Sequence, residues 1–499
     1  MSQVVGAALS GVEGVPVEVE VRISSQLPQV EIVGLPHATV RESTARVRSA
    51  IVSSGYRFPG QRVTINLAPA ELPKTGSALD LAIAVGILVA SGNVPQEAVT
   101  GIAFVGELSL DGRIRPVRGA LALALSAREA SCRTVILPTS NASAAALAPD
   151  LDALGANTLS EVVAHLLGVE RIEATQPSAN PPEDDCACLS DVRGQPFAKR
   201  GIEIAAAGGH GLLFCGPPGS GKSMLAQRLP GLLPPLTREE ALEVARIRGV
   251  ASMADTLPFR PPFRAPHHSA SRAGLLGGGT PARPGEVSFA HLGVLFLDEL
   301  TEFDRQGLES LRQVLETRCV TLARASVSCV LPANFQFVAA CNPCPCGWYR
   351  SGVRDCRCDT GAIVRYRRKL SGPLLDRIDL RVELSPVRWS DLQEPDPVVV
   401  PSTEIRARVA SARKRQTRRG FRSNAEIPDT RLDLTVQASA DALRLLGRAV
   451  DRLGISARGA RRTLRVARTI ADLAHEERVT TTALAEALAY RSEAADEGH

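Results

Sequence analysis

The residues Gly216-Pro217-Pro218-Gly219-Ser220-Gly221-Lys222-Ser223 carry the most specific chemistry in this sequence. They fit G-x-x-x-x-G-K-[ST], with an apolar stretch (GLLFC) before them and a helix-compatible one (MLAQRL) after. Glycines at these spacings let backbone N–H groups turn inward around phosphate oxygens, and a following helix adds positive potential. Lys222 is then placed to reach the β and γ phosphates of ATP, and Ser223 to offer its hydroxyl to Mg²⁺.

Roughly 75 residues on, the apolar run Val294-Leu295-Phe296-Leu297 ends in Asp298 and Glu299. Carboxylates at the carboxyl edge of a parallel sheet face the ligand crevice. Asp298 is read as the holder of Mg²⁺, and Glu299 as the base that orients and deprotonates the attacking water. Two acids after an apolar run are a weak signal alone; a phosphate loop upstream gives them their meaning. Asn342 closes the run FQFVAAC, where its amide is expected beside the γ-phosphate. Arg377, in GPLLDRIDL, is of a kind that usually makes a surface ion pair. In a ring of subunits it would instead reach the neighbour's γ-phosphate, as fingers that accelerate hydrolysis do. Arg458 opens SARGARRTLRVARTIADL and is expected to close over the nucleotide, although spacing does not separate it from Arg461 or Arg462.

These groups need elements to hold them. Residues 193–390 show the βαβ rhythm of a doubly wound parallel sheet: a helix at PFAKRGIEIAAAGG and strands at GLLFCG, GVLFLDE and FQFVAACN. Upstream, residues 1–170 alternate β-type runs (VPVEVEVRIS, QVEIVGL, RVTINLAP, IAFVGELSL, TVILP) with helical ones, as an α/β or α+β domain does. Residues 171–192, rich in proline, acids and small residues, read as a linker, and 391–400 as a second. Residues 401–493 lack strand signals and are expected to form an all-helical end domain.

The whole chain, 499 residues with 44% hydrophobic and 22% charged, has enough apolar content to exclude wholesale disorder. The longest apolar run, Leu81 to Ala90, is about half of what spans a bilayer and reads as a buried helix. The opening MSQVVGAALSG lacks a basic n-region, so a soluble cytoplasmic protein without membrane contact is expected. A net charge of +5 is too mild to name a nucleic-acid partner.

Five of the eleven cysteines (Cys341, Cys344, Cys346, Cys356, Cys358) fall within eighteen residues, which suits a cytosolic metal site better than disulfides. Cys344-Pro-Cys346 and Cys356-Arg-Cys358 offer four thiolates for structural Zn²⁺, with Cys341 and Cys344 an alternative C-x-x-C pair and free reduced thiols the other reading. His267-His268 sits in FRAPHHSASRAG, near Arg264, Arg272 and Arg283; adjacent histidines point apart in most backbones, which disfavours joint ligation. The following GLLGGGTPARPGE reads as an unstructured loop, either tracking DNA in a ring's pore or touching a neighbouring subunit. Two basic runs, Arg365 to Lys369 and Arg413 to Arg422, are either phosphate-neutralising surfaces or solvated helix faces. Nothing is built to read base edges, so DNA binding is expected to be sequence-independent.

The segments GPPGSGKSMLA, FRAPHHSASRAGLLGGGTPARPGEVSFAHLGVLFLDEL, AACNPCPCG and RTLRVARTIADL resemble the magnesium-chelatase-like AAA+ ATPases, the YifB/ComM group, and the likeness extends over nearly the whole chain. The resemblance implies a ribosomal-S5/Lon-like α+β domain, an AAA+ P-loop core and a helical lid. It also implies a hexameric ring, and in ComM a DNA helicase of the branch-migration type acting in natural transformation. It gives Asn342 the sensor-1 role, Arg377 that of arginine finger and Arg458 that of sensor 2. A Lon-type Ser–Lys dyad is not matched: Ser77 is present, but no lysine lies between Lys74 and Lys199, and Leu121 stands roughly where one is expected. The leading expectation is an ATP-driven DNA motor; the alternative is a chelatase-like ATPase that remodels a protein partner or drives metal insertion.

Overall fold

The computed structural model describes residues 1–34, 40, 42–70, 74, 76–177, 187–251, 256–279, 282–323, 328–370, 372–386 and 400–491. Of the two expected linkers, 178–186 in the first and 391–399 in the second lie outside the described residues.

A seven-stranded mixed sheet organises the first third of the chain, in the order Val30–Val33, Arg62–Ala68, Glu13–Ser24, Ser2–Ser10, Ile102–Phe104, Thr134–Pro138, Asp152–Ala156. Its inner strands follow the period of two: Val17, Val19 and Val21 are buried, while Glu18, Glu20 and Arg22 turn away. Register places Val19 opposite Val4 on one side and Leu67 on the other. The helix Asp80–Ala90 lies against this sheet and is buried from Asp80 to Leu88, as its unbroken apolar run requires. Its one charge, Asp80, is held by Ser43 and by Arg46, whose Nε lies 2.7 Å away. Two strands of this sheet have no counterpart in the sequence reading, Ser2–Ser10 and Asp152–Ala156; both are rich in Ala and Gly, which carry little β signal.

A second sheet, wholly parallel, runs Phe263–Arg264, Val294–Leu297, Gln336–Cys341, Leu212–Cys215, Leu380–Glu383. Every residue of Val294–Leu297 and Gln336–Cys341 is buried, as expected of strands covered on both faces. Numbered along the chain the order is 2-3-4-1-5, so the strand leading into the phosphate loop lies inside the sheet, between the fourth and the fifth. Ligands of such sheets bind beyond the carboxyl ends of the strands, where the order reverses.

Helix Pro196–Gly208 packs against this sheet, and beyond residue 400 five α-helices follow. Two of them, Ser402–Arg418 and Ala457–Leu473, lie on Pro196–Gly208, so that Ile202, Phe214, Val382, Val409 and Ala467 share one apolar core. A separate core joins the two sheets' regions: Leu236, Ala241 and Val244 meet Leu121 and Ala124, and the Gly119 N–H donates to the Gly249 carbonyl at 3.0 Å. Leu121 is thus packing, not chemistry. Within GLLGGGTPARPGE the described residues carry structure that its glycines did not suggest, since Arg272–Leu276 is helical and Gly277–Gly278 pairs antiparallel with Arg283–Pro284, while Thr280 and Pro281 lie outside the described residues. Among the described residues no helix is long and apolar enough to cross a membrane.

Candidate nucleotide-binding site

The turn between Leu212–Cys215 and helix Lys222–Arg228 depends on Gly219 and Gly221, at φ +77° and +88°. A side chain there would meet open space, so backbone conformation and not crowding calls for glycine. Lys222 is buried at the head of the helix, and its Nζ donates to the carbonyls of Gly216 (2.7 Å) and Pro217 (2.9 Å) and to Asn342 Oδ1 (3.1 Å). Burial pushes its pKa below the usual lysine value, with Asp298 pulling the other way. Ser223 Oγ donates to Asp298 Oδ2 at 2.5 Å. The loop's Ser220 Oγ is buried with no hydrogen-bond partner.

Asp298 and Glu299 follow directly on the Val294–Leu297 strand, and the Glu299 N–H donates to Asp298 Oδ1 at 2.9 Å. Glu299 adopts φ +50°, a left-handed backbone that costs a non-glycine residue on the order of 1 kcal/mol or more and turns its exposed carboxylate out of the sheet. That carboxylate lies 3.3 Å from His268 Nδ1. The sequence reading did not connect these two residues. The link exists because Phe263–Arg264, just upstream of His268, pairs in parallel with the acid-bearing strand. His267 Nδ1 lies 2.8 Å from Ser269 Oγ, and its ring, contrary to the expectation that neighbouring histidines point apart, sits 4.1 Å from that of His268.

Lys222, Ser223, Asp298, Glu299 and Asn342 are therefore brought together, and they suit a magnesium nucleotide. Lys222 is held by neutral acceptors that an anion displaces, Ser220 lacks a partner, and a hydroxyl and a carboxylate sit side by side as Mg²⁺ ligands do. Arg377 and Arg458 are not among the contacts of this group. Arg377 is buried, ion-paired with Glu316 and bonded to the Pro373 carbonyl at 2.5 Å. Arg458 lines a cleft with Asp379, Asp429, Arg461, Arg462 and Arg465. The three arginines that spacing left open differ in their partners. Arg462 is bound to Asp379 at 2.6 Å and Arg461 lies 3.6 Å from Asp433, whereas Arg458 has no ion pair among the described residues.

The four cysteines Cys344, Cys346, Cys356 and Cys358 converge, every pair of sulfurs within 4.8 Å. Cys344 Sγ lies 3.4 Å from Cys346 Sγ and 3.7 Å from Cys356 Sγ, and Cys346 and Cys356 are 3.6 Å apart. Tetrahedral Zn²⁺, with Zn–S of about 2.3 Å, sets its sulfurs about 3.8 Å apart. The Tyr349 N–H donates to Cys344 Sγ at 3.3 Å, the outer support a thiolate ligand needs. Cys341 is not part of this group: it ends its strand opposite Cys215.

The second basic run is largely occupied, whereas Arg365, Arg367 and Arg368 of the first are exposed and make no ion pair among the described residues. Arg413 is spent on the carbonyls of Ala206 and Arg422, Arg419 on Asp472, Arg422 on Glu240 and Arg415 on His475. That leaves Lys414 and Arg418 exposed and unpaired among the described residues of the run. In the first run, Tyr366 is buried against Thr301 Oγ1 and Lys369 reaches Glu302 at 3.5 Å. Upstream of His268, Arg264 is locked to Glu286; downstream, Arg272 at the head of its helix and Arg283 on the strand pair are exposed.

A phosphate loop at the carboxyl edge of a parallel sheet, with an acid pair on a nearby strand tip, is the arrangement of P-loop nucleotide-binding proteins. Three family models match the chain: "Subunit ChlI of Mg-chelatase" at residues 19–141, "Magnesium chelatase, subunit ChlI" at 188–392 and "Magnesium chelatase, subunit ChlI C-terminal" at 400–491. The competence protein ComM of Haemophilus influenzae is 42% identical over 494 residues, covering 97% of this chain and 96% of that protein. The protein YifB of Escherichia coli is 43% identical over 492 residues, covering 97% and 96%. The Lon protease of Rhizobium meliloti is 26% identical over 159 residues, 29% of this chain and 20% of that one. The chain belongs to the magnesium-chelatase-like family of YifB and ComM.

Proposed function

We propose that this chain is an ATP-hydrolysing ring motor that moves along DNA without regard to sequence, of the helicase or branch-migration type, in the cytoplasm. The observation that carries the ATPase reading is the convergence of Lys222 on Asn342 and of Ser223 on Asp298, beside Glu299. In this reading residues 1–170 are an S5/Lon-like scaffold, 193–390 the AAA+ core and 401–493 the lid. Lys222 and the amides of Gly216 to Ser223 grip the phosphates, and Ser223 and Asp298 hold Mg²⁺, which neutralises phosphate charge when bound. Glu299 takes the proton of the attacking water, its carboxylate positioned by His268, and Asn342 orients that water. Arg458 closes from the lid. Arg377 reaches a neighbour's nucleotide in a hexamer, which requires it to leave Glu316. Cys344, Cys346, Cys356 and Cys358 hold structural Zn²⁺.

The DNA substrate is supported by the name of the Haemophilus influenzae relative, competence protein, and by the exposed Arg272 and Arg283, on the helix and the strand pair that follow His268. The family models' own title, a chelatase subunit, favours the second reading, a remodeller of a protein partner or of metal insertion. ATPase activity with and without single- and double-stranded DNA separates the two. The motor is stimulated by DNA, and the effect fades as salt rises; the remodeller is indifferent to DNA.

A further inference from the structure

The cysteine cluster does not stand apart from the nucleotide site. Cys344 follows Asn342 by two residues, and Asn342 Oδ1 accepts from Lys222 Nζ. Within the cluster's own turn, the Gly347 N–H donates to the Cys344 carbonyl at 2.9 Å, and Gly347 adopts φ +81°. Gly347 is buried against the phosphate loop: a Cβ there would come within 2.5 Å of Pro218 Cδ and 2.8 Å of its Cγ. The segment therefore touches the nucleotide pocket twice, at the tip of the loop and at the residue that meets its lysine.

Regular secondary structure does not account for the segment's order. Residues 343–358 contain neither helix nor strand, and none of the four cysteines is in a disulfide. Fixing such a stretch costs about 1–2 kcal/mol of backbone entropy per residue, which a metal bound by four thiolates offsets. Its aromatic rings carry guanidinium groups, Arg367 from outside the segment over Tyr349 at 5.1 Å and Arg354 from within it over Trp348 at 5.7 Å.

We propose that the zinc knuckle formed by Cys344, Cys346, Cys356 and Cys358 is a brace for the nucleotide pocket, setting Pro218 through Gly347 and Asn342 through Cys344. It rests on the nucleotide and zinc readings above, and it makes ATP affinity depend on a metal that touches no phosphate. Without the metal, the phosphate loop loses one wall and Asn342 loses the anchor that holds it toward Lys222.

The test uses the full chain purified without chelator, in three forms: wild type, Cys356→Ser with Cys358→Ser, and Gly347→Ala. Metal content and affinity for a fluorescent ATP analogue are measured, with circular dichroism as the check on folding. Wild type is expected to carry one zinc per chain and bind the analogue. The double variant loses zinc and binds about tenfold more weakly or worse. Gly347→Ala, which leaves all four thiols in place, keeps its zinc yet binds weakly, because the new methyl pushes on Pro218. This variant keeps the proposal testable if the double variant does not fold. Loss of zinc with nucleotide affinity within twofold of wild type overturns the brace, as does Gly347→Ala binding normally. Less than about a tenth of an equivalent of zinc in wild type overturns the metal itself. A wild type that carries zinc but binds no nucleotide refutes the ATP-site reading instead.

Discussion

Two lysine–serine pairs close in sequence, Lys222 with Ser223 and Lys74 with Ser77, come to opposite ends. At Lys222 and Ser223 the ammonium rests on two backbone carbonyls and an amide oxygen, all neutral, and the hydroxyl points at a carboxylate. At Lys74 and Ser77, on the first sheet's side, the ammonium is buried against the Pro69 carbonyl and the hydroxyl bonds to Glu107. Burial lowers the lysine pKa in both. The difference lies in what remains unanswered. Around Lys222 an unpartnered Ser220 hydroxyl and a loop of left-handed glycines call for an anion; Lys74 and Ser77 are each bound to a different partner, with no common one among the described residues. Residue types are shared; convergence is not. In the reading proposed above, the partial likeness to Lon protease is one of scaffold.

The sharpest way to break this contrast is Lys222→Ala, which removes the grip on the phosphates. Binding of a fluorescent ATP analogue should become undetectable and ATPase activity vanish. Next, Glu299→Gln should keep nucleotide affinity within about twofold while turnover falls by about 10²–10⁴, the usual contribution of a general base. Arg377→Ala should likewise bind nucleotide and lose turnover by about 10³. Mixed with Lys222→Ala it should recover part of the activity, because one variant supplies the finger and the other the pocket; no recovery counts against shared sites. His268→Ala should lower kcat by about tenfold with KM unchanged, and His268→Gln, which can still donate to Glu299, should recover part of it. At the small end, Ser77→Ala should leave ATPase activity within about twofold, since its partner Glu107 serves the fold alone. A loss as large as that of Glu299→Gln would erase the distinction between the two regions.

How much of this was legible in the residues follows from distance along the chain. The phosphate loop and the acid pair are read correctly as strand ends because each is a local pattern, and the buried helix Asp80–Ala90 because its apolar run is unbroken. The cysteine group is legible from two C-x-C pairs close in sequence, and the structure discards Cys341 because its strand carries it to Cys215. The contact of His268 with Glu299 is invisible beforehand, since it depends on which strand lies at the sheet's edge. The run from Arg413 to Arg422 looks like a surface for phosphates until its partners appear: Asp472, Glu240 and His475 are all distant in sequence. The hairpin after His268 is hidden by its glycines, which allow the tight pairing of Gly277–Gly278 with Arg283–Pro284 and also erase the usual strand signal.

The central claim, a nucleotide engine driven along DNA, is tested most directly by ATP hydrolysis of the purified chain, alone and with single- and double-stranded DNA, at low and at raised salt. A severalfold rise in rate with DNA, lost as salt increases and absent in Glu299→Gln, is the expected result. Hydrolysis that proceeds at the same rate with and without either form of DNA at every salt concentration contradicts it.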